Sequence, residues 1–157
     1  SNVLPCRHLY IIISLKGSNK EAMVEIKITF PGNKKVNAEI NGMVINTDQP
    51  KELGGDGTAP SPFLHFLASI GTCAGIYVLS FCRERNIPVE GLSLIQSIEY
   101  ITTADGKTKM DKIVLDIIVP QGFPEKYLNA IIKVADQCAV KKAIMNPPKF
   151  EVKATVS

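Results

Sequence analysis

The residues of this chain best suited to chemistry are its four cysteines, Cys6, Cys73, Cys82 and Cys138. They are widely spaced, and no two of them form a C-x-x-C motif or another metal-ligand spacing. Because the only histidines are His8 and His65, a structural zinc site is not expected. A chain of 157 residues with many other apolar residues does not need a disulfide framework, so we expect reduced thiols and a cytoplasmic location.

Cys73 and Cys138 have neighbours that suit a reactive thiol. Cys73 lies in GTCAG, where small residues on both sides would let a substrate or another backbone approach the sulfur. Lys141 and Lys142 follow Cys138, and nearby cations favour a thiolate. The alternative for each cysteine is a small, inert core residue, which is the usual role of cysteine in an apolar helix. Cys82, nine residues beyond Cys73, points to the opposite side of the same helix.

His65 and the loop before it offer two further chemical hypotheses. His65 lies eight residues before Cys73, about two helical turns away on nearly the same face. It is either the partner in a Cys–His catalytic pair or a capped or interface histidine. The loop GGDGTAP at 54–60 has neither the Gly-Lys-Ser/Thr of a P-loop nor the third glycine of a dinucleotide fingerprint. We therefore expect no nucleotide cofactor.

The element that must carry Cys73 is a helix predicted over 61–84. Ser61 is a favourable N-cap, and Pro62 suits the first helical position. From Ser61 to Cys82 the helix has no Asp, Glu, Lys or Arg, so its length would allow a membrane span. Its glycines and polar residues, and flanking hairpins that cannot cross a bilayer with open edges, argue against one. A helix apolar on all sides is packed on all sides, and a second subunit is the natural cover.

Alternating apolar residues predict strands on both sides of this helix. The first three strands are predicted over 24–30, 36–40 and 43–47, with a hairpin turn at Asn41-Gly42. A second hairpin is predicted over 92–100 and 113–119. A helix follows that begins at Pro124, includes Cys138 and ends at the NPP of 146–148, and a last strand is predicted over 150–156. Hairpins without βαβ crossovers indicate one antiparallel α+β domain over 23–157.

Charge and hydropathy limit the possible partners. The net charge is +3, from 18 basic and 15 acidic residues without a long basic run, so neither nucleic acid nor a membrane is expected. The mean hydropathy of +0.11 is high for a small monomer and favours an oligomer. Residues 1–22 are predicted to be an N-terminal extension or a remnant of cloning, because the apolar run LYIIISL is too short to span a bilayer. Met23 suits a natural start.

The stretches KELGGDGTAPSPFLHFLASIGTCAG at 51–75 and ADQCAVKKAI at 135–144 resemble the OsmC/Ohr family, the osmotically inducible and organic-hydroperoxide-resistance proteins. The order of elements agrees over 23–157. The resemblance implies antiparallel sheets wrapped around two long central helices in an intertwined homodimer, which would bury the uncharged helix. Within that dimer, four residues on or near the Cys73 face of the helix are predicted to line the substrate pocket: Phe63, Phe66, Ile76 and Tyr77.

The characterised enzymes of this family reduce organic hydroperoxides with a cysteine pair that matches Cys73 and Cys138. The resemblance therefore implies a thiol peroxidase whose disulfide is reopened by a thiol reductant, such as a lipoyl protein or a dithiol, with no metal or cofactor. The activating Glu of the family is replaced here by Phe63 or Leu64, and its Arg has no counterpart in PGNKK at 31–35. We expect a weak or atypically activated peroxidase. The alternative is a non-peroxidatic homodimer that binds a small apolar or thiol-containing molecule.

Overall fold

The structure, a computed structural model, describes residues 24–156. The predicted extension over 1–22, the start at Met23, and the two residues Cys6 and His8 lie outside this range. The chain divides between Pro62 and Phe63 into two compact units. Three strands, a long helix, a hairpin and two short helices follow one another, with antiparallel pairing in both sheets. The predicted antiparallel α+β class is confirmed.

The first unit is a three-stranded antiparallel meander of β1 (Lys27–Gly32), β2 (Lys35–Ile40) and β3 (Met43–Ile45). Asn41 and Gly42 have positive φ values of 50° and 79°, which confirms the predicted hairpin turn. Strand β1 begins at Lys27 rather than at 24. Lys27 pairs with Glu39, next to the end of β2, so residues 24–26 run past the end of their partner strand.

The loop after β3 folds around the buried carboxylate of Asp48. Its Oδ1 accepts the backbone N–H groups of Gln49 at 2.7 Å and Asp56 at 3.4 Å. Its Oδ2 accepts the N–H of Thr58 at 2.9 Å and the Thr58 hydroxyl at 2.8 Å. Gly55 packs so closely on this backbone that an added Cβ would lie 1.9 Å from the Gln49 oxygen. The glycine-rich stretch thus encloses a negative charge of its own chain, which does not suit phosphate.

The second unit is built on the long helix α1 (Pro62–Glu84), whose bounds agree with the prediction. The side chains that it buries recur at helical spacing along one face: Leu67, Ile70, Ala74, Val78, Phe81 and Cys82. Within 24–156 it is the one helix long and apolar enough to cross a membrane, a test that the core helix of a globular domain also passes. Only 22% of its most apolar window is buried within the chain.

A β-hairpin follows this helix, as predicted, and packs against it. Strands β4 (Ser93–Thr102) and β5 (Thr108–Ile118) are antiparallel. Three cross-strand pairs turn the same half-buried face inward: Leu94 with Ile117, Gln96 with Leu115, and Ile98 with Ile113. Two of these pairs are apolar throughout, and the middle one includes the amide of Gln96.

The predicted second helix is broken, which corrects the sequence interpretation. Its residues form a 3-10 turn at Glu125–Tyr127, then α2 (Leu128–Ala135) and α3 (Ala139–Met145). Cys138 is not inside a helix, since its φ and ψ of −44° and 120° place it at the N-cap of α3. Its sulfur accepts the backbone N–H of Lys141 and so satisfies the new helix start. The apolar spacing runs on through the break, which is why the pattern did not reveal it. The end of α3 just before Pro147 agrees with the prediction.

The strand predicted over 150–156 does not form within the described chain. Phe150, Val152 and Val156 are 88%, 95% and 98% exposed, respectively. A strand needs a neighbour to accept its backbone hydrogen bonds, and period-two alternation alone does not supply one.

The apolar core of the second unit lies where α1, the hairpin and α2 come together. Its buried members are Ala74, Val78, Phe81, Cys82, Ile87, Ile131, Ala135 and Cys138. Cys73, Leu94, Leu115 and Ile117 pack against this cluster from the side. In the described part of the first unit, by contrast, only Thr47 and Asp48 are buried.

Candidate active site

Cys73 lies in the middle of α1 with its side chain half-buried against the core. Small residues surround it in sequence, as expected. A Cβ added at Gly75 would have open space around it. At position 75, two residues beyond Cys73, the helix surface is therefore not covered by its own chain.

Cys138 is 1% exposed and belongs to the core cluster against which Cys73 packs. Its sulfur lies 3.6 Å from the carbonyl oxygen of Ile70, to which the thiol donates, and it accepts the backbone N–H of Lys141 at 3.4 Å. Both cysteines are free thiols. The structure thus brings together the two cysteines singled out in the sequence, one from α1 and one from the start of α3.

Burial is the main cause that raises the pKa of the Cys138 thiol. The backbone N–H of Lys141 lowers this pKa, while the hydrogen-bonding contact with Cys73 raises it again. The expectation that the Lys141 and Lys142 ammonium groups favour a Cys138 thiolate is wrong. Lys141 pairs with Asp136 and Lys142 donates to Gln137, so both charges are engaged elsewhere.

An open cavity of about 540 Å³ adjoins Cys138. Its walls are mostly aliphatic: Ile70, Ile113, Leu115, Ile117, Ile132, Ala135, Ile144 and Met145, with Asp116, Asp136 and Lys141 as the charged members. Cys138 lines the cavity, and Cys73 is not among its lining residues.

The four residues predicted to line the pocket do not line this cavity. Phe63, Phe66 and Ile76 are exposed on α1, and Tyr77 is half-buried there. The rings of Phe63 and Phe66 lie 5.6 Å apart in a tilted pair. A role for these four residues in binding substrate stays a prediction about an assembly larger than one chain.

The remaining sequence candidates take different positions. Cys82 is fully buried in the core, and burial raises the pKa of its thiol, so it is set up as an inert packing residue. His65 is half-buried on α1, and its proposed pairing with Cys73 stays untested. Within residues 24–156, no group of three His, Cys, Asp or Glu side chains is placed to hold a metal ion.

The polar residues of the first turn are engaged within the first unit. Asn33 donates to Asp56 at 2.7 Å, and the Lys35 ammonium lies 2.6 Å from the same carboxylate. Lys34 donates to the carbonyl oxygen of Leu53. These three residues belong to the PGNKK stretch that lacks the family's arginine, and each contacts the loop over 53–56.

Gln96 is a polar residue near the site that the sequence analysis passed over. It occupies an inward position of β4 between Leu94 and Ile98, and its amide donates to the carbonyl oxygen of Leu67 on α1 at 2.9 Å. The available signal was a glutamine at an apolar position of an alternating strand.

The fold and the site define a class of antiparallel α+β proteins that hold two free thiols in contact between a long helix and the cap of a short one. The chain belongs to the OsmC-like protein family, whose model matches residues 55–153, more than half of the sequence. No curated protein sequence matches it significantly.

Solved structures of similar fold include proteins from several bacteria. A Psychrobacter arcticus protein described as an osmotic stress induced and detoxification response protein is 22% identical with a TM-score of 0.61, over 79% of this chain and 90% of that one. An organic hydroperoxide resistance protein OsmC from Legionella pneumophila is 19% identical with a TM-score of 0.54, over 80% and 91%. An organic hydroperoxide resistance protein from Elizabethkingia anophelis is 15% identical with a TM-score of 0.55, over 83% and 93%. These similarities show the fold.

Proposed function

We propose that the protein is a thiol-dependent peroxidase that reduces organic hydroperoxides through Cys73 and Cys138. The observation that carries the proposal is that two free thiols meet at one core cluster, with Cys138 inside it and Cys73 packed against it. The names of the Legionella and Elizabethkingia proteins supply the substrate class that we carry over to this chain.

Cys73 is assigned the attacking role because this residue is only half-buried, whereas Cys138 is almost fully buried and its raised pKa favours the neutral thiol. The Cys73 thiolate attacks the terminal oxygen of ROOH, the O–O bond breaks, and the alkoxide takes up a proton and leaves as ROH. Cys73 is then a sulfenic acid. Cys138 attacks that sulfur, its proton and the hydroxyl leave as water, and a disulfide forms.

An external dithiol, either small or carried on a lipoyl protein, closes the cycle by reducing the disulfide while being oxidised itself. We place this cycle in the cytoplasm, where reducing conditions keep such a pair from becoming a permanent brace.

The cavity beside Cys138 supports an organic substrate or reductant. Its volume of about 540 Å³ lies within the usual range of small-molecule sites, and its walls are mainly aliphatic. An alkyl or aryl group would be removed from water by packing against these aliphatic walls.

The surroundings favour a slow enzyme. Phe63 and Leu64 supply no carboxylate at the start of α1, and Lys34 and Lys35 bind the loop of their own unit. A lysine also lacks the planar fork with which arginine holds two oxygens.

The absence of an activating carboxylate and arginine also favours a second candidate. This is a non-peroxidatic protein that binds a small apolar or thiol-containing molecule. In this case the two thiols would recognise the ligand or pack against it without being oxidised. The two candidates differ in a single measurable property, the oxidation of Cys73 by hydroperoxide.

We also propose that the working form is a homodimer. The first unit buries almost no apolar side chain, and it exposes Ile28, Phe30, Met43 and Val44. One side of α1 and the whole of segment 150–156 are likewise exposed. Apolar surface on this scale is unusual for a monomer, and a second copy would cover it.

The decisive experiment follows Cys73 by time-resolved alkylation and mass spectrometry after mixing with cumene hydroperoxide. Oxidation in the wild type, its loss in Cys73→Ser and its survival in Cys82→Ala are expected. Cys82→Ala is the matched control because it removes another thiol from the same helix. Folded wild-type protein whose thiols stay reduced in excess hydroperoxide would overturn the peroxidase and support the binding protein.

A further inference from the structure

Gln96 has an environment that packing alone does not explain. It faces inward from β4 between two apolar residues and is paired with Leu115 across the hairpin. Its Nε2 donates to the Leu67 carbonyl, but its Oε1 is buried and has no hydrogen-bond partner within the described chain. An unpaired buried oxygen is destabilising. A methionine of similar size would fill this space without that penalty, so stability alone does not favour glutamine.

The helix makes room for this side chain at Gly71. A Cβ at this position would lie 2.8 Å from the Gln96 Oε1 and 3.8 Å from a methyl carbon of Leu115. The Gln96 amide therefore occupies the space that any other residue at 71 would take. The close approach of α1 to β4 at this point depends on the pair of Gly71 and Gln96.

The same stretch of α1 is held from a second side by the candidate active site. Gln96 binds the carbonyl oxygen of Leu67, and Cys138 binds that of Ile70, three residues further along. Cys73 follows Ile70 by another three residues, which is slightly less than one turn. The segment from Leu67 to Cys73 thus carries both contacts and ends at the proposed nucleophile.

The hairpin and Cys138 also share the wall of the cavity. Leu115, opposite Gln96, lines the cavity together with Ile70 and Cys138. A shift or rotation of α1 on β4 would therefore move Cys73 with respect to the frame that contains Cys138. Disulfide formation tolerates little movement, since the Cα atoms must come within about 4.4–6.8 Å with a restricted torsion about the S–S bond.

We propose that Gln96 is a positioning residue for the Cys73–Cys138 pair. Its hydrogen bond to Leu67 sets the rotation and depth of α1 on the hairpin, and so fixes the Cys73 sulfur for attack by Cys138. The inference rests on the proposed function, because it takes Cys73 and Cys138 to be the pair that forms a disulfide. It is tested through the disulfide itself, which forms in thiol redox buffers without any hydroperoxide.

The test compares wild type with Gln96→Met, which keeps the volume and removes the hydrogen bond. The matched control is Gln121→Met, the same change at an exposed glutamine. Three quantities are measured: the melting temperature, the reduction potential of the pair in dithiothreitol redox buffers, and the rate of disulfide closure after a pulse of diamide. We expect Gln96→Met to melt at or above the wild-type temperature while closure slows roughly 10- to 100-fold and the potential rises. The control should match wild type in all three.

Gly71→Ala provides a second route to the same result if Gln96→Met does not fold. The added Cβ displaces the amide, so closure should slow, and the double variant Gly71→Ala/Gln96→Ala should regain stability without regaining the rate. The proposal would be overturned if Gln96→Met kept the wild-type rate of disulfide closure and the wild-type reduction potential. It would also be overturned if both quantities changed only in step with a loss of stability. A wild-type protein that forms no Cys73–Cys138 disulfide in these buffers would overturn it as well. If hydroperoxide leaves the thiols untouched but redox buffers join them under the control of Gln96, the peroxidase fails while this inference stands.

Discussion

The sulfur of Cys138 and the carbonyl oxygen of Ile70 lie 3.6 Å apart although 68 residues separate them in the chain. This hydrogen bond joins the cap of α3 to the turn of α1 that precedes Cys73. It directs the Cys138 proton toward the helix backbone while the thiol stays in contact with its partner cysteine. Both members of the proposed pair are free thiols in this structure.

The first prediction concerns over-oxidation of Cys73. In the wild type, hydroperoxide should yield an intrachain disulfide between Cys73 and Cys138, found by peptide mapping. In Cys138→Ser no second thiol can condense with the sulfenic acid, so Cys73 should accumulate as sulfinic acid. Cys82→Ala should behave like wild type. Equal sulfinic acid in wild type and Cys138→Ser would show that Cys138 does not resolve Cys73.

The second prediction concerns the pH dependence of Cys138. Burial and the neighbouring thiol raise its pKa, so its alkylation by iodoacetamide should increase at higher pH than that of a cysteine in the urea-unfolded chain. Cys73→Ala removes one of the raising causes and should shift the Cys138 profile toward lower pH. The readout is the alkylation rate of the Cys138 peptide by mass spectrometry. An unchanged or upward shift would contradict the assigned contact.

The third prediction tests the missing activation. Leu64→Glu restores a carboxylate near the start of α1, but no arginine replaces the lysines that hold the loop. The peroxidase rate with cumene hydroperoxide should therefore not rise. A large gain from this single change would show that a cation already lies within reach of position 64.

The fourth prediction concerns acid stability and Asp48. The hydrogen bonds that its carboxylate accepts, led by the backbone N–H of Thr58, lower the pKa of Asp48 from 3.8 to about 2. A lowered folded-state pKa stabilises the fold above the unfolded value of 3.8, and this stabilisation is lost as the pH falls toward about 2. Asp48→Asn should lower the urea midpoint at neutral pH and flatten its fall across this acid window. Circular dichroism measures both.

Asp116→Asn is the control for that experiment, because Asp116 is an exposed aspartate on β5. It should leave the midpoint and its acid dependence close to wild type. A wild-type curve as flat as that of Asp48→Asn would mean that the loop does not depend on the charged form.

The fifth prediction is the homodimer. Sedimentation velocity at micromolar concentration should give twice the mass of one chain, because the exposed faces of the first unit and α1 need cover. Ile76→Asp places a charge on the exposed side of α1 and should shift the protein toward monomer or aggregate. A stable, folded wild-type monomer would contradict the assembly.

Local patterns in the sequence predicted much of this fold. The turn at Asn41-Gly42 and the start of α1 at Pro62 were predictable because turn and helix-start chemistry reside in a few adjacent residues. The inward face of the second hairpin followed from alternation, except for Gln96, whose partners Leu67 and Gly71 lie on another element.

The break before α3 could not be predicted in the same way. Leu128 and Cys138 fit one continuous apolar face, and only the three-dimensional contact with Ile70 shows why Cys138 leaves the helix. The prediction of a strand over 150–156 was wrong for a related reason. A strand forms only where a neighbouring strand accepts its backbone hydrogen bonds, and the sequence of the segment alone does not show that neighbour. The prediction that the lysines after Cys138 favour its thiolate was wrong because their ammonium groups bind Asp136 and Gln137.

The N-cap position of Cys138 links sulfur chemistry to backbone order. In the reduced protein its sulfur accepts one of the free amides in the first turn of α3, that of Lys141. Any reaction that draws electron density from this sulfur, whether alkylation or joining to Cys73, weakens it as an acceptor and loosens the first turn of a seven-residue helix. Hydrogen–deuterium exchange at the Lys141 amide would therefore report the oxidation state of the site through the fraying of a helix, with no label on either thiol.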